Sequence, residues 1–74
     1  MPKMFRVDSS AIARIGYDVE VEEAYVEFRE SGGIYAYSGV SLEVFAELAR
    51  ADSKGRFVSE VIKRYPFRKL DGRP

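Results

Sequence analysis

The sequence predicts an α+β fold: a three-stranded antiparallel β-meander, with an optional short fourth strand near residues 67–70, packed on one face by two C-terminal helices. Three observations lead there. Period-two alternation of apolar and polar residues runs through the first half. From residue 42 the apolar residues instead recur in adjacent pairs about four apart, the spacing of one helix face. Gly and Pro fall mostly between these runs, where they punctuate the chain. Strands followed by helices imply a meander with both helices on one side.

Each element has its own justification. SSAIARIGYD carries Ile12, Ile15 and Tyr17 in a β-branched and aromatic run. Its alternation is imperfect, which predicts a bulge or bend between Ala13 and Ile15. VEVEE is acidic and lacks Gly, so it reads as a longer hairpin connection or a frayed strand extension. AYVEFRE alternates cleanly, with Ala24, Val26 and Phe28 on one face and Tyr25, Glu27 and Arg29 on the other. IYAYS is the third strand. In SLEVFAELARA, Ser41 is placed to cap, and Glu43 suits the positive N-terminal end of the helix dipole. Val44, Phe45, Leu48 and Ala49 share one face of that helix. In SKGRFVSEVIKRY, Ser53 caps, the apolar positions Phe57, Val58, Val61, Ile62 and Tyr65 repeat the spacing, and Pro66 stops the run. PFRKL alternates Phe67 and Lys69 against Arg68 and Leu70, the pattern of a short edge strand returning to the sheet.

The 74 residues make a single domain, 1–74, with no repeats or linkers. A chain this short buries only about 60–65% of its unfolded surface, so its stability is thin. Five Phe and five Tyr must supply much of the core. With no Cys, neither disulfides nor thiolate metal sites are available, and with no His the commonest metal ligand and general base are missing. No apolar run nears the roughly 18 residues of a membrane span, and MPKMFRV lacks the apolar stretch of a secretory signal. The expectation is a cytoplasmic protein that uses no cofactor, metal or membrane.

The net charge of zero hides an asymmetry. Residues 8–49 hold nine acids against Arg14 and Arg29, a local charge of −7. Residues 50–74 hold eight bases against Asp52, Glu60 and Asp71, a local charge of +5. Such a split describes either an electrostatically polar molecule or solvated helices charged for solubility.

Where Tyr35 and Tyr37 point depends on the loop before them. A two-residue turn, Ser31-Gly32 or Gly32-Gly33, puts both on the helix-covered face with Val26 and Phe28. A three-residue loop, Ser31-Gly32-Gly33, puts both in water with Glu27 and Arg29, as a platform for stacking bases. Two-residue turns are the commonest hairpins, and a small chain needs aromatic volume, so the core reading is favoured.

Few residues carry a case for chemistry. Ser9-Ser10 has no base nearby and reads as a pair of hydroxyls closing a turn. Ser53 and Lys54 are adjacent on a helix and do not face each other, so Ser53 is better used as a cap. Glu20, Glu22 and Glu23 lack the glycines and spacing of a cation loop and read as a solvated hairpin tip. Gly55, between Lys54 and Arg56 at a helix start, suits a phosphate through free N–H groups, dipole and cations. Alternatively it allows close packing of the helix on Tyr17 or the sheet.

Taken in order, VDSSAIARIGYD, AYVEF, the central YAY and ADSKGRF resemble the KTSC domain. That short module is named after the C terminus of some lysyl-tRNA synthetases and also occurs as a free-standing small bacterial or phage protein. The resemblance spans roughly residues 4–70. Two positions depart from the usual pattern: Ser41 stands where a proline often follows the valine, and Ser59 stands near the place of a usual asparagine. The family has no established activity, and its attachment to a tRNA synthetase suggests RNA binding by association.

The expected function is therefore a small non-enzymatic binding module. Its candidate ligand is RNA or a tRNA-related nucleic acid, held by Lys54, Gly55, Arg56, Lys63, Arg64, Arg68 and Lys69, with Tyr35 and Tyr37 as the stacking pair. The alternative is a module for docking on a protein, including a second copy of itself, through complementary charged ends, with the sheet's open face or an edge strand supplying contact. An enzyme is the weakest reading, since only carboxylates, Tyr and Lys remain for chemistry.

Overall fold

In a computed structural model describing residues 2–70, five antiparallel strands run in chain order across one sheet. They are β1 (Met4–Arg6), β2 (Ile12–Asp18), β3 (Glu23–Phe28), β4 (Ile34–Ser38) and β5 (Phe67–Leu70). The helices α1 (Leu42–Arg50) and α2 (Lys54–Glu60), with a 3-10 turn at Ile62–Arg64, lie between β4 and β5 in sequence. Two strands thus extend the three-stranded meander. The β5 segment is the FRKL of the alternating run. The strand at MFR was not expected, because three residues carry too little alternation; β1 is a strand because it pairs with β2, Met4 opposite Gly16 and Arg6 opposite Arg14.

The expected irregularity in β2 is a bulge. Ile12 pairs with Phe28 and Arg14 with Glu27, which leaves Ala13 extra. The inserted residue turns Ile12 onto the same face as Ile15 and Tyr17, so both isoleucines are buried. Upstream, Ser9 Oγ accepts from the amides of Ala11 and Ile12, closing the turn before the strand. Across β2–β3 the connection is Val19–Glu22, with Glu22 in the left-handed region at φ 55°.

The β3–β4 loop is neither of the two expected lengths. Phe28 faces Gly33, Phe28 N donating to Gly33 O, and four residues, Arg29–Gly32, lie between that pair, with Gly32 N donating to Phe28 O and Gly32 at φ 73°. Val26 therefore faces Tyr35, and Ala24 faces Tyr37. Two and four are both even, so the facing is the favoured one and both tyrosines stand on the helix side.

Both helices begin as expected. Ser41 Oγ accepts from Val44 N and Ser53 Oγ from Arg56 N. Leu48 of α1 and Val58 of α2 are fully buried against Ile12, Val26, Tyr37 and Val40. Ala49, expected on the inner face, is exposed. The second helix is shorter than its apolar spacing: it ends at Glu60, and a tighter turn held by Tyr65 N donating to Ile62 O carries the chain to Pro66. That tightening seats Ile62 in the core and turns Lys63 and Arg64 outward.

Candidate aromatic cleft

The helices do not cover the whole inner face of the sheet. Toward β5 they leave a cleft of about 720 Å³ whose floor is four rings: Phe28, Tyr35, Tyr37 and Phe67. Strand register sets the row, since Tyr37 stands opposite Phe67 and Tyr35 beside Val26. Tyr35 meets Phe28 edge-on, with centroids 5.5 Å apart at 83°. It lies nearly parallel to Tyr37 at 6.3 Å, and Phe67 tilts against both tyrosines at 5.6 and 5.8 Å. Tyr37 is the deep member at 2% exposure, and burial pushes its phenol pKa up. Phe67 is the outer member at 59% exposure.

The cleft walls are polar. Lys63 reaches from the 3-10 turn to place Nζ 5.5 Å from the centroid of Phe28. Glu30 and Ser31 enter from the β3–β4 loop, and Ser10 from the turn before β2. Arg29 ties those two segments together: its N donates to Ala11 O, Nε to Ser9 O and Nη2 to Ile12 O.

The other cations named from the sequence are divided among several places. Arg68, one residue from Phe67, points to the opposite face of the sheet and donates to both carboxylate oxygens of Glu23 at 3.0 and 3.3 Å. Arg56 pairs with Glu60 on the exposed side of α2. Lys54 donates to Ala51 O. Arg64 lines a separate shallow depression with Glu60, Val61 and Tyr65. Lys69 stands opposite Tyr35 on β5, on the cleft side of the sheet. Gly55 packs closely, on Ala11 of the turn before β2 rather than on Tyr17 or the sheet: a Cβ there would lie 2.9 Å from Ala11 Cβ. Of the named cations, Lys63 and Lys69 accompany the rings, and the six do not form one patch.

The opposite face carries a different arrangement. Tyr25, 5% exposed, lies between Gly16 and Ala36 of the neighbouring strands and donates to Glu23 Oε1 at 2.7 Å. The hydrogen bond from Tyr25, aided by Arg68, holds the Glu23 carboxyl below its usual range against the cost of burial. Burial and the neighbouring Glu23 push the Tyr25 phenol up to about 12. Arg14 closes the row with an ion pair to Glu27. These groups satisfy one another, and the acids of the β2–β3 tip stay apart: among the described residues no group of three or more acids is placed to hold a metal ion.

Of the residues lining the cleft, Tyr35, Tyr37 and Lys63 are among the candidates named from the sequence, whereas Phe28, Phe67, Glu30, Ser31 and Ser10 are not. The alternation of PFRKL already placed Phe67 and Lys69 on one side; which side required the pairing with β4.

The family model for the KTSC domain matches residues 8–67. The chain belongs to the KTSC domain family. Among relatives of this KTSC domain, an uncharacterized protein of Stutzerimonas stutzeri (strain A1501) is 39% identical over 66 residues, covering 89% of this chain and 92% of that one. A protein of Tsukamurella paurometabola is 42% identical over 57 residues, covering 77% and 84% of the two chains. The fold is similar to the crystal structure of a KTSC domain protein from Yersinia pestis, with TM-score 0.89 and 38% identity over 95% of this chain and 99% of that one. Among the described residues of this KTSC domain, no helix is long and apolar enough to cross a membrane.

Proposed function

We propose that this KTSC domain is a non-enzymatic cytoplasmic module that binds single-stranded RNA in the aromatic cleft. The observation that carries the reading is the contact of four rings in one cleft with a lysine ammonium over one of them. Bases stack on such rings whatever their identity, and lysines beside them take the phosphates. Tyr35 and Phe67 offer the stacking surface, Tyr37 supports them from below, and Lys63 and Lys69 are the phosphate contacts. The dispersal of the other cations makes the expected affinity weak and its salt dependence shallow, set by about two phosphates. Titrating labelled protein with short single-stranded RNA at low salt tests it. Shifts concentrated on Tyr35, Lys63, Phe67 and Lys69 support the reading; no binding at about 100 µM protein, the range of non-specific affinities, rejects it.

A second reading, docking on a protein or another copy of the chain, is favoured by β5 being an edge strand with an exposed Phe67. Sizing chromatography across concentration and salt tests self-association. A monomer throughout counts against that form of the reading.

A further inference from the structure

Resting on the cleft as a stacking site, we propose that it selects guanine, with Glu30 reading the base edge. Glu30 is the one acidic residue lining the cleft of the four rings, and among the described residues it makes no ion pair or side-chain hydrogen bond. In contrast, Glu23, Glu27 and Glu60 are each engaged by an arginine. A base stacked on Tyr35 and Phe67 turns its edge toward the walls, and a carboxylate there accepts only.

Guanine alone among the four bases presents two adjacent N–H donors, N1–H and the 2-amino group, on its Watson–Crick edge. They match the two oxygens of one carboxylate, a charge-assisted bidentate pairing. Adenine and cytosine offer one amino donor beside a ring nitrogen acceptor, which would face the carboxylate lone pair to lone pair. Uracil places its single N–H between two carbonyl oxygens. Discrimination then comes from repulsion against the wrong bases as much as from attraction to the right one. The Ser31 hydroxyl already accepts from Gly33 N at 3.1 Å, which holds the loop next to Glu30 in place before any ligand arrives.

The experiment compares binding of the trinucleotides UGU, UIU, UAU and UUU to the wild-type domain and to Glu30→Gln at low salt. Thermal melting checks that the variant is folded, as expected for an exposed loop residue. In the wild type, UGU should bind on the order of tenfold more tightly than UAU or UUU. UIU, which keeps N1–H and lacks the 2-amino group, should fall between. In Glu30→Gln the preference should collapse while UUU binding stays level or improves. Equal affinity for all four ligands overturns guanine selection and leaves the stacking reading intact. A preference for UGU that survives in Glu30→Gln overturns the role of Glu30. Failure of every ligand to bind overturns both.

Discussion

Phe67 and Tyr37 face each other across β4 and β5 with ring centroids 5.8 Å apart, yet one is 59% exposed and the other 2%. One contact therefore joins a core residue to a surface residue, and substitutions at its two ends separate stability from binding.

Tyr37→Ala removes a ring packed among Val26, Val40 and Leu48 in the core cluster. The expected loss is about 3–5 kcal/mol, as for large aromatic truncations. That is a large part of what a chain this short has, so thermal melting should show a domain largely unfolded at 37 °C, a temperature about where marginal domains fail. An unchanged melting temperature would show that Tyr37 is not a core residue.

Phe67→Ala removes mostly solvated surface. Melting should move little, while affinity for single-stranded RNA should drop about 5- to 150-fold, the range for one stacked base. A variant that binds as the wild type does removes Phe67 from the site.

Charge tests distinguish the two faces of the sheet. Lys63→Ala should lower the slope of log affinity against log salt by about one phosphate contact. Arg68→Ala, on the face with Glu23, should leave that slope unchanged. Equal slope changes from both would mean that nucleic acid does not use the cleft.

Gly55→Ala pits helix propensity against space. Alanine is worth up to about 1 kcal/mol over glycine inside a helix. Here its Cβ would meet Ala11 Cβ at 2.9 Å, and neither atom can rotate away. The net effect should be a destabilisation of about 1–2 kcal/mol by denaturant unfolding. Adding Ala11→Gly should recover most of it, giving a coupling between the two sites. Simple additivity would mean that the helix does not pack there.

The Glu23–Tyr25 pair should leave a mark at each end of the pH scale. The Glu23 carboxyl lies below its usual 4.5, so its stabilisation is complete above that value and is lost as pH falls through the lower folded one. The Tyr25 phenol rises from 10.0 to about 12, so the unfolded chain ionises first, and stability held below pH 10 declines as pH rises toward 12. Glu23→Gln should flatten the acid limb of a stability–pH profile. Tyr25→Phe should flatten the alkaline limb and remove the latest step from the ultraviolet titration of tyrosinate.

Much of this architecture was legible because local rules and global packing agree. Ser41 and Ser53 announced both helices, and AYVEF and IYAYS announced two strands with their faces. The bulge was readable because Ile12 and Ile15 cannot both be buried in a regular strand. The facing of Tyr35 and Tyr37 came out as favoured although the loop length did not, because only the parity of the loop matters. Met4–Arg6 was hidden, since a three-residue strand is defined by its partner rather than by its own pattern. The cleft was only partly visible. Its rings come from β3, β4 and β5, and nothing in the local alternation says how far the helices reach across the sheet. The charge run is read correctly only strand by strand: Arg68 and Lys69 are neighbours in sequence, and the alternation of PFRKL sets them on opposite faces, so they cannot share one patch.

The placement of β5 has a consequence for how this domain assembles. Strands β1–β4 follow one another through short connections, so they can zip together by nearest-neighbour steps. Only β5 must wait for the excursion through both helices before it reaches β4, and closing that long loop is the entropically costly step. Phe67 arrives with it, so the outer ring of the cleft is seated only once that loop has closed, and it leaves the site whenever β5 frays from β4. An occupant spanning Tyr35 and Phe67 would act as a latch on that joint, holding closed the seam that created its seat.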